Sequence, residues 1–193
     1  MANIVEQLLT EAKALLTGHF LLTSGLHSDK YMQCAKLMVN PKNTEVVAKE
    51  IAKGFESEEV AIVVAPAMGG ILIGYEVARA MGIKSMFTER VNGVMELRRG
   101  FEIPVGTKVI IVEDVVTTGK STLEVKTLLE GMGAVVVGVG AIIDRTGGKV
   151  DLGVKLVATY APEIRTYEAN ECPLCQAGEL ALVKPGSRVQ VPQ

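Results

Sequence analysis

The chain has 193 residues, 48% of them hydrophobic, enough for one domain with a sizeable core. A formal net charge of -2 and the absence of Trp give no basis for nucleic-acid or membrane binding and favour small-molecule chemistry. Cys34, Cys172 and Cys175 are too few for a disulfide framework, no apolar stretch reaches membrane-spanning length, and the first residues lack a basic-then-apolar signal pattern, so the expected compartment is the cytoplasm.

From the N-terminus, Asn3 and Glu6 are spaced as a capping pair. Val5, Leu8, Leu9, Ala12, Leu15 and Leu16 form a stripe that predicts one amphipathic helix ending at Gly18. Residues 18–41 mix Gly, Ser and His with apolar pairs, which predicts irregular chain with short strands. Taken singly, His19 and His27 read as surface histidines and Tyr31 as packing. Asn40 and Pro41 mark a helix start, with Val47 and Ile51 continuing it to about Phe55. The run VAIVVA at 60–65 is a buried strand that enters Pro66, Ala67, Met68, Gly69 and Gly70, then a helix with Ile73, Val77 and Met81 on its apolar face. A glycine-bearing strand-to-helix turn suits anion binding through backbone N–H groups; the plainer reading is close helix-on-sheet packing.

Residues 85–88 form a short strand, and Asn92-Gly93 predicts a hairpin. Arg90, Arg98 and Arg99 give this hairpin cations suited to bidentate phosphate contact, at least one of Arg98 and Arg99 being a solvated charge.

Residues 109–122, VIIVEDVVTTGKST, are the centre of the chain. An apolar β-branched run suits a strand buried on both faces, and Val125, Leu128, Leu129 and Met132 predict a helix after Gly119. A loop there opens at the carboxyl edge of a parallel sheet, where uncapped N–H groups and the hydroxyls of Thr117, Thr118, Ser121 and Thr122 can hold a phosphate. Glu113 and Asp114 would repel that phosphate in direct contact but can accept hydrogen bonds from sugar hydroxyls or hold a metal through water, which together point to a ribose 5-phosphate site. Gly119, Lys120 and Ser121 match the end of a P-loop, but Asp114 stands where its first glycine is required, so that reading fails.

Residues 134–143 are another buried strand, ending in Asp144, Arg145, Thr146, Gly147 and Gly148; Arg145 is well placed for an anionic ligand. Residues 152–159 make the last strand. Cys172 and Cys175 form a Cys-x-x-Cys, half a zinc site; with no second pair nearby and Cys34 far off in sequence, a helix start is the favoured reading. The final residues, 185–193, read as a loose end.

The stretch 109–122 resembles the phosphoribosyl-pyrophosphate (PRPP) signature of type I phosphoribosyltransferases. Gly18, Phe20, Leu22, Ser24, Gly25, Ser28 and Tyr31 are similar to the N-terminal hood of the orotate-specific members. The resemblance implies an α/β fold, a doubly wound, mostly parallel sheet with a small N-terminal hood. The chain would be a single domain with hood 1–40, α/β core 41–160 and tail 161–193. By the same resemblance Glu113 and Asp114 bind the ribose hydroxyls, and Val115, Val116, Thr117, Thr118, Gly119, Lys120 and Ser121 surround the 5-phosphate. Met68 and Gly69 would receive the pyrophosphate and Arg90 would act with the acids in catalysis. Arg145, with Thr117, would bind orotate. It further implies Mg2+ held mainly by PRPP rather than by side chains, a homodimer, and transfer of ribose 5-phosphate to orotate in pyrimidine synthesis.

Three departures stand out. Thr23 replaces the lysine before the Ser-Gly pair, leaving Lys30 as the nearby cation; Met68 and Gly69 replace an aromatic and a lysine, so contact there would be by main chain; and the hairpin lacks the family's lysines and histidine. A transferase for another base, or a PRPP-sensing regulator, are the competing readings, and the regulator lacks a basic stripe.

Overall fold

The computed structural model describes residues 4–22 and 25–185. The expected cap at Asn3, Thr23 and Ser24 of the hood signature, and residues 186–193 of the expected loose end lie outside the described residues.

A six-stranded sheet carries the fold. Its strands are β3 (Ile62–Pro66), β4 (Lys84–Val91), β5 (Val94–Leu97), β6 (Lys108–Val116), β7 (Val135–Asp144) and β8 (Lys155–Tyr160), in the order β5-β4-β3-β6-β7-β8. All pairings are parallel except β4 with β5, the hairpin that Asn92 and Gly93 turn with both φ angles positive. Helices α3 (Pro41–Lys53) and α4 (Gly70–Met81) cover one face, where Val47, Ile51, Ile73 and Val77 pack on Val63, Ile110, Val112 and Ile142. Helix α5 (Lys120–Gly131) covers the other, Val125 and Leu129 meeting Val64, Val109, Ile111 and Val139. Strand β3 is apolar throughout and β6 is apolar over Val109–Val112 because both faces are covered, and Asn40 caps α3 by accepting from the Lys42 amide at 3.1 Å. The sheet is therefore doubly wound and mostly parallel, as expected.

The chain runs outward from β3 through α4 to β4, then returns to β6 on the other side of β3 and proceeds to β7. The direction of winding thus reverses between β3 and β6, which leaves a crevice at their carboxyl ends.

The first helix is shorter than its stripe predicts. Helix α1 (Ile4–Glu11) stops, Lys13 takes a left-handed φ of 51°, and Leu15 and Leu16 pass into strand β1 (Leu15–Leu21), paired with Met32 and Tyr31 of β2 (His27–Met32). Strand pairing outweighs helical periodicity here, since Leu15 still packs against the core from β1 once it has an edge to join. Glu6 accepts from the Tyr160 hydroxyl at 2.7 Å and so ties α1 to β8. A short helix α2 (Cys34–Leu37) follows β2.

The hood draws on both ends of the chain. Strands β9 (Thr166–Tyr167) and β10 (Leu182–Val183) flank the β1–β2 hairpin in a second sheet ordered β10-β1-β2-β9, with helix α6 (Pro173–Ala177) between them in sequence.

Candidate active site at the sheet switch point

Two strand-to-helix loops open into the crevice. Residues 67–69 join β3 to α4 and residues 117–119 join β6 to α5. Neither helix has a side-chain cap, so both present backbone N–H groups and a positive dipole end to the same space. Gly119 holds φ +71°, and a Cβ there would lie 2.7 Å from Val150, so a side chain is excluded by both conformation and space. Thr117, Thr118 and Lys120 are exposed around this loop, and Ser121 is half-buried in the first turn of α5.

Glu113 and Asp114 reach opposite sides of β6. Glu113 is buried and accepts a 2.8 Å hydrogen bond from the Ser121 hydroxyl on the α5 side. Burial pushes its carboxyl up to about 7, only partly offset by Ser121, with Asp114 adding to the rise. Asp114 is half-buried on the α4 side and accepts from the Val115 amide at 2.9 Å; burial raises its carboxyl too. A Cβ on Gly69 would meet Asp114 Oδ2 at 2.6 Å, so Gly69 lets the 67–69 loop approach the carboxylate. Gly70 has a different reason: its Cβ would meet the Val112 carbonyl at 2.8 Å, the close helix-on-sheet packing that the sequence left open as the plainer reading. Met68 is exposed, and the Ala67–Met68 peptide is cis.

Arg145 stands at the carboxyl end of β7, its amide donating to the Val116 carbonyl at 2.8 Å. Its half-buried guanidinium is lowered from its ordinary value by desolvation, while nearby Cys34 and Tyr31 act in the opposite sense; an arginine stays charged there. Asp144 does not pair with it, because its Oδ1 accepts the Thr146 amide at 2.7 Å. Among the described residues no carboxylate lies within ion-pair distance of Arg145. A partly desolvated cation without a carboxylate partner among the described residues, beside a cavity of about 560 Å³ lined also by Thr146, Gly147, Ile164 and Arg165, has the charge and the space that an anion would need.

Cys34 was not among the expected site residues. Its thiol is buried and points to the Asp114 carbonyl at 3.8 Å, which fixes the start of α2 against the acidic pair. Only its distance in space, not its position 80 residues away in sequence, reveals the contact.

The hairpin arginines divide. Arg90 donates to the Gly93 carbonyl and pairs with Glu124 of α5, at the edge of a groove of about 830 Å³ lined by Val94, Met95, Thr118, Lys120 and Leu123. Arg99 forms a two-pronged pair with Glu89 at 2.9 and 2.7 Å and is the exposed hairpin charge expected of one member of the pair 98 and 99.

Residues 37–158 match the family model described as "Phosphoribosyl transferase domain". The chain is 50% identical over 179 residues to the orotate phosphoribosyltransferase of Desulforamulus reducens, covering 93% of each chain. It is 49% identical over 185 residues to that of Thermotoga maritima, covering 96% of this chain and 98% of the relative. Its fold is similar to the orotate phosphoribosyltransferase of Aeropyrum pernix, with TM-score 0.70 and 24% identity over 81% of this chain and 93% of that one. The adenine phosphoribosyltransferase of Thermoanaerobacter pseudethanolicus is also similar in fold, with TM-score 0.61 and 18% identity over 69% and 88% of the two chains. The fold alone thus does not separate one base from another.

Proposed function

The chain belongs to the phosphoribosyltransferase family, among the orotate phosphoribosyltransferases, and we propose that its crevice joins orotate to PRPP, giving orotidine 5-monophosphate and pyrophosphate. The observation that carries the choice of base is Arg145, a half-buried cation with no carboxylate partner among the described residues, next to the phosphate loop. A neutral purine would leave that charge uncompensated, whereas orotate's carboxylate answers it.

The chain's own groups divide the work. Residues 115–121 hold the 5-phosphate on the α5 N-terminus, while Glu113 and Asp114 accept from the ribose hydroxyls from two sides of β6. The main chain at Met68 and Gly69, with the α4 N-terminus, receives the pyrophosphate. The orotate nitrogen attacks the anomeric carbon as an anion, the carbon–oxygen bond to pyrophosphate breaks, and no general base is required. Holding sugar and base in line supplies much of the acceleration, and N–H groups aimed at the departing oxygens supply more. Arg90 is the cation we assign to the leaving group, which it reaches by exchanging Glu124 for phosphate. Thr117, exposed beside Arg145's strand end, completes the orotate contacts.

Mg2+ fits this donor set, since two desolvated carboxylates with raised pKa gain from a nearby hard cation. Held mainly by PRPP, with Glu113 and Asp114 as the adjoining oxygen donors, it would supply neutralisation of pyrophosphate charge. We read the chain as one domain, because α1 residues Val5 and Leu9 share a core cluster with Val63 and Ile142 of the central sheet. A homodimer is supported by the exposed apolar side chains Leu72 and Tyr75 of α4. A cytoplasmic setting is consistent with three unpaired cysteines, and no helix among the described residues is long and apolar enough to cross a membrane.

The direct test is loss of orotate absorbance with PRPP and Mg2+, against hypoxanthine and adenine as alternative bases. Turnover of a purine but not orotate would overturn the assignment.

The Glu113 environment sets a pH dependence. In the free protein its raised pKa contributes stability that is fully present below the unfolded value of 4.5 and is lost as pH rises through about 7. Ribose hydroxyls need the ionised form, so PRPP binding runs the other way: it should weaken by up to about tenfold per pH unit below about 7. Calorimetric titration of PRPP across that range in wild type and Glu113→Gln checks this, the variant binding weakly but with this part of the slope removed. Identical pH profiles would refute it.

A further inference from the structure

Away from the crevice, the hood brings together both histidines of the chain and two of its three cysteines. His19 on β1 and His27 on β2 are buried, not surface groups as each looked in isolation, and Cys172 and Cys175 arrive from the C-terminal segment at α6. One donor atom from each lies within 4.8 Å of all the others. His19 Nε2 is 3.0 Å from His27 Nδ1, 3.6 Å from Cys172 Sγ and 3.6 Å from Cys175 Sγ; His27 Nδ1 is 3.3 Å from Cys175 Sγ.

Hydrogen bonds alone serve this arrangement poorly. His19 Nδ1 faces the Leu180 carbonyl at 3.2 Å, an atom that only accepts, so the ring proton belongs on Nδ1 and Nε2 is left as a lone pair. That one lone pair is approached by three potential donors, of which it can accept well from one. A cation at the centre would satisfy all four atoms at once. With zinc bonds of about 2.0–2.1 Å to nitrogen and about 2.3 Å to sulfur, a tetrahedron has edges of about 3.4 Å between nitrogens and about 3.6 Å between nitrogen and sulfur. The four separations given above are within a few tenths of an ångström of these edges, all six lie within 4.8 Å, and the His19 Nδ1–carbonyl bond is the outer contact that orients a ligating imidazole.

We propose that His19 Nε2, His27 Nδ1, Cys172 Sγ and Cys175 Sγ bind one zinc ion. Two nitrogens and two sulfurs in a tetrahedron suit zinc, and four protein ligands leave no open position, so the ion is structural and not catalytic. Its role follows from where the ligands lie. Strands β9 and β10 pair with the hairpin over two residues each, too short to hold the C-terminal segment by hydrogen bonds alone. The ion would staple α6 to β1 and β2, and β2 carries Tyr31 toward Arg145 at its other end. The Cys-x-x-Cys is therefore the second half of a site whose first half is His19 and His27, a pairing that sequence spacing does not reveal.

The test uses the full chain, purified without a metal-binding tag. Elemental analysis should find one zinc per chain, and zinc-edge X-ray absorption should show two sulfurs and two nitrogens at about 2.3 and 2.0–2.1 Å. Cobalt added to chelator-treated protein should give tetrahedral ligand-field bands with thiolate charge transfer. Cys175→Ser should lower zinc affinity at least tenfold and lose part of that charge transfer, whereas Cys34→Ser should bind as wild type does. Chelation should lower the melting temperature of wild type by more than it lowers that of Cys175→Ser. Folded wild type that takes up neither zinc nor cobalt, equal affinity in Cys175→Ser and wild type, or iron with acid-labile sulfide in place of zinc would each overturn the proposal. X-ray absorption on wild type decides the ligand set even where a variant fails to fold.

Discussion

Asp114→Ala should lower kcat/KM for PRPP by about 100-fold or more while leaving the melting temperature unchanged or higher. Hydrogen bonds to an ionised carboxylate contribute about 1.5–3 kcal/mol each, and the reading of the crevice gives Asp114 ribose hydroxyls that no other group on its side of β6 would accept. Folding, by contrast, does not depend on this carboxylate. Burial raises its pKa, so the ionised form is held at a cost in the free protein, and the side-chain hydrogen bonds that offset this come from backbone amides, that of Val115 at 2.9 Å among them. Removing such a group relieves strain of charge burial, and the resulting opposition of stability and activity is what a binding residue shows and a structural one does not. Steady-state kinetics with PRPP varied, beside thermal unfolding, check both halves. Wild-type kinetics would remove Asp114 from the site; a large fall in melting temperature would make it structural.

Arg145→Gln should cost about 100-fold in kcat/KM for orotate with the KM for PRPP nearly unchanged. Truncating one partner of a desolvated charge pair costs about 2–5 kcal/mol, and Arg145 is half-buried with Asp144 committed to the Thr146 amide. Uracil, which has the orotate ring without its carboxylate, separates this contact from general damage. Wild type should lose much more between orotate and uracil than the variant does. Arg145→Lys should recover only part of the loss, because a lysine ammonium cannot match a carboxylate with two parallel bonds. Equal discrimination between the two bases in wild type and variant would show that the carboxylate is bound elsewhere.

Much of this was legible before folding. The order of strands and helices, the hairpin at Asn92-Gly93 and the N-cap at Asn40 follow from side-chain periodicity and turn chemistry, which act over a few residues. The loop proposed to hold phosphate could be picked out for the same reason: Glu113, Asp114 and the 117–121 tract are contiguous, so one local conformation presents them together. Local reading failed where long-range pairing competes with it. Leu15 and Leu16 continue a helical stripe, yet they join β1 because β2 offers them an edge. The separation of Glu113 from Asp114 onto two sides of β6, the Cys34 thiol against the Asp114 carbonyl, and the reversal of winding between β3 and β6 are equally invisible in the linear order.

The hood marks the division most clearly. Its sequence alone determined a parallel α/β core and a glycine-bearing turn after Glu113 and Asp114, since buried strands, helix faces and tight turns are specified by neighbours in the chain. Only the tertiary structure makes His19, His27, Cys172 and Cys175 one cluster, because donors separated by up to 156 positions become ligands through sheet pairing between the two ends of the chain.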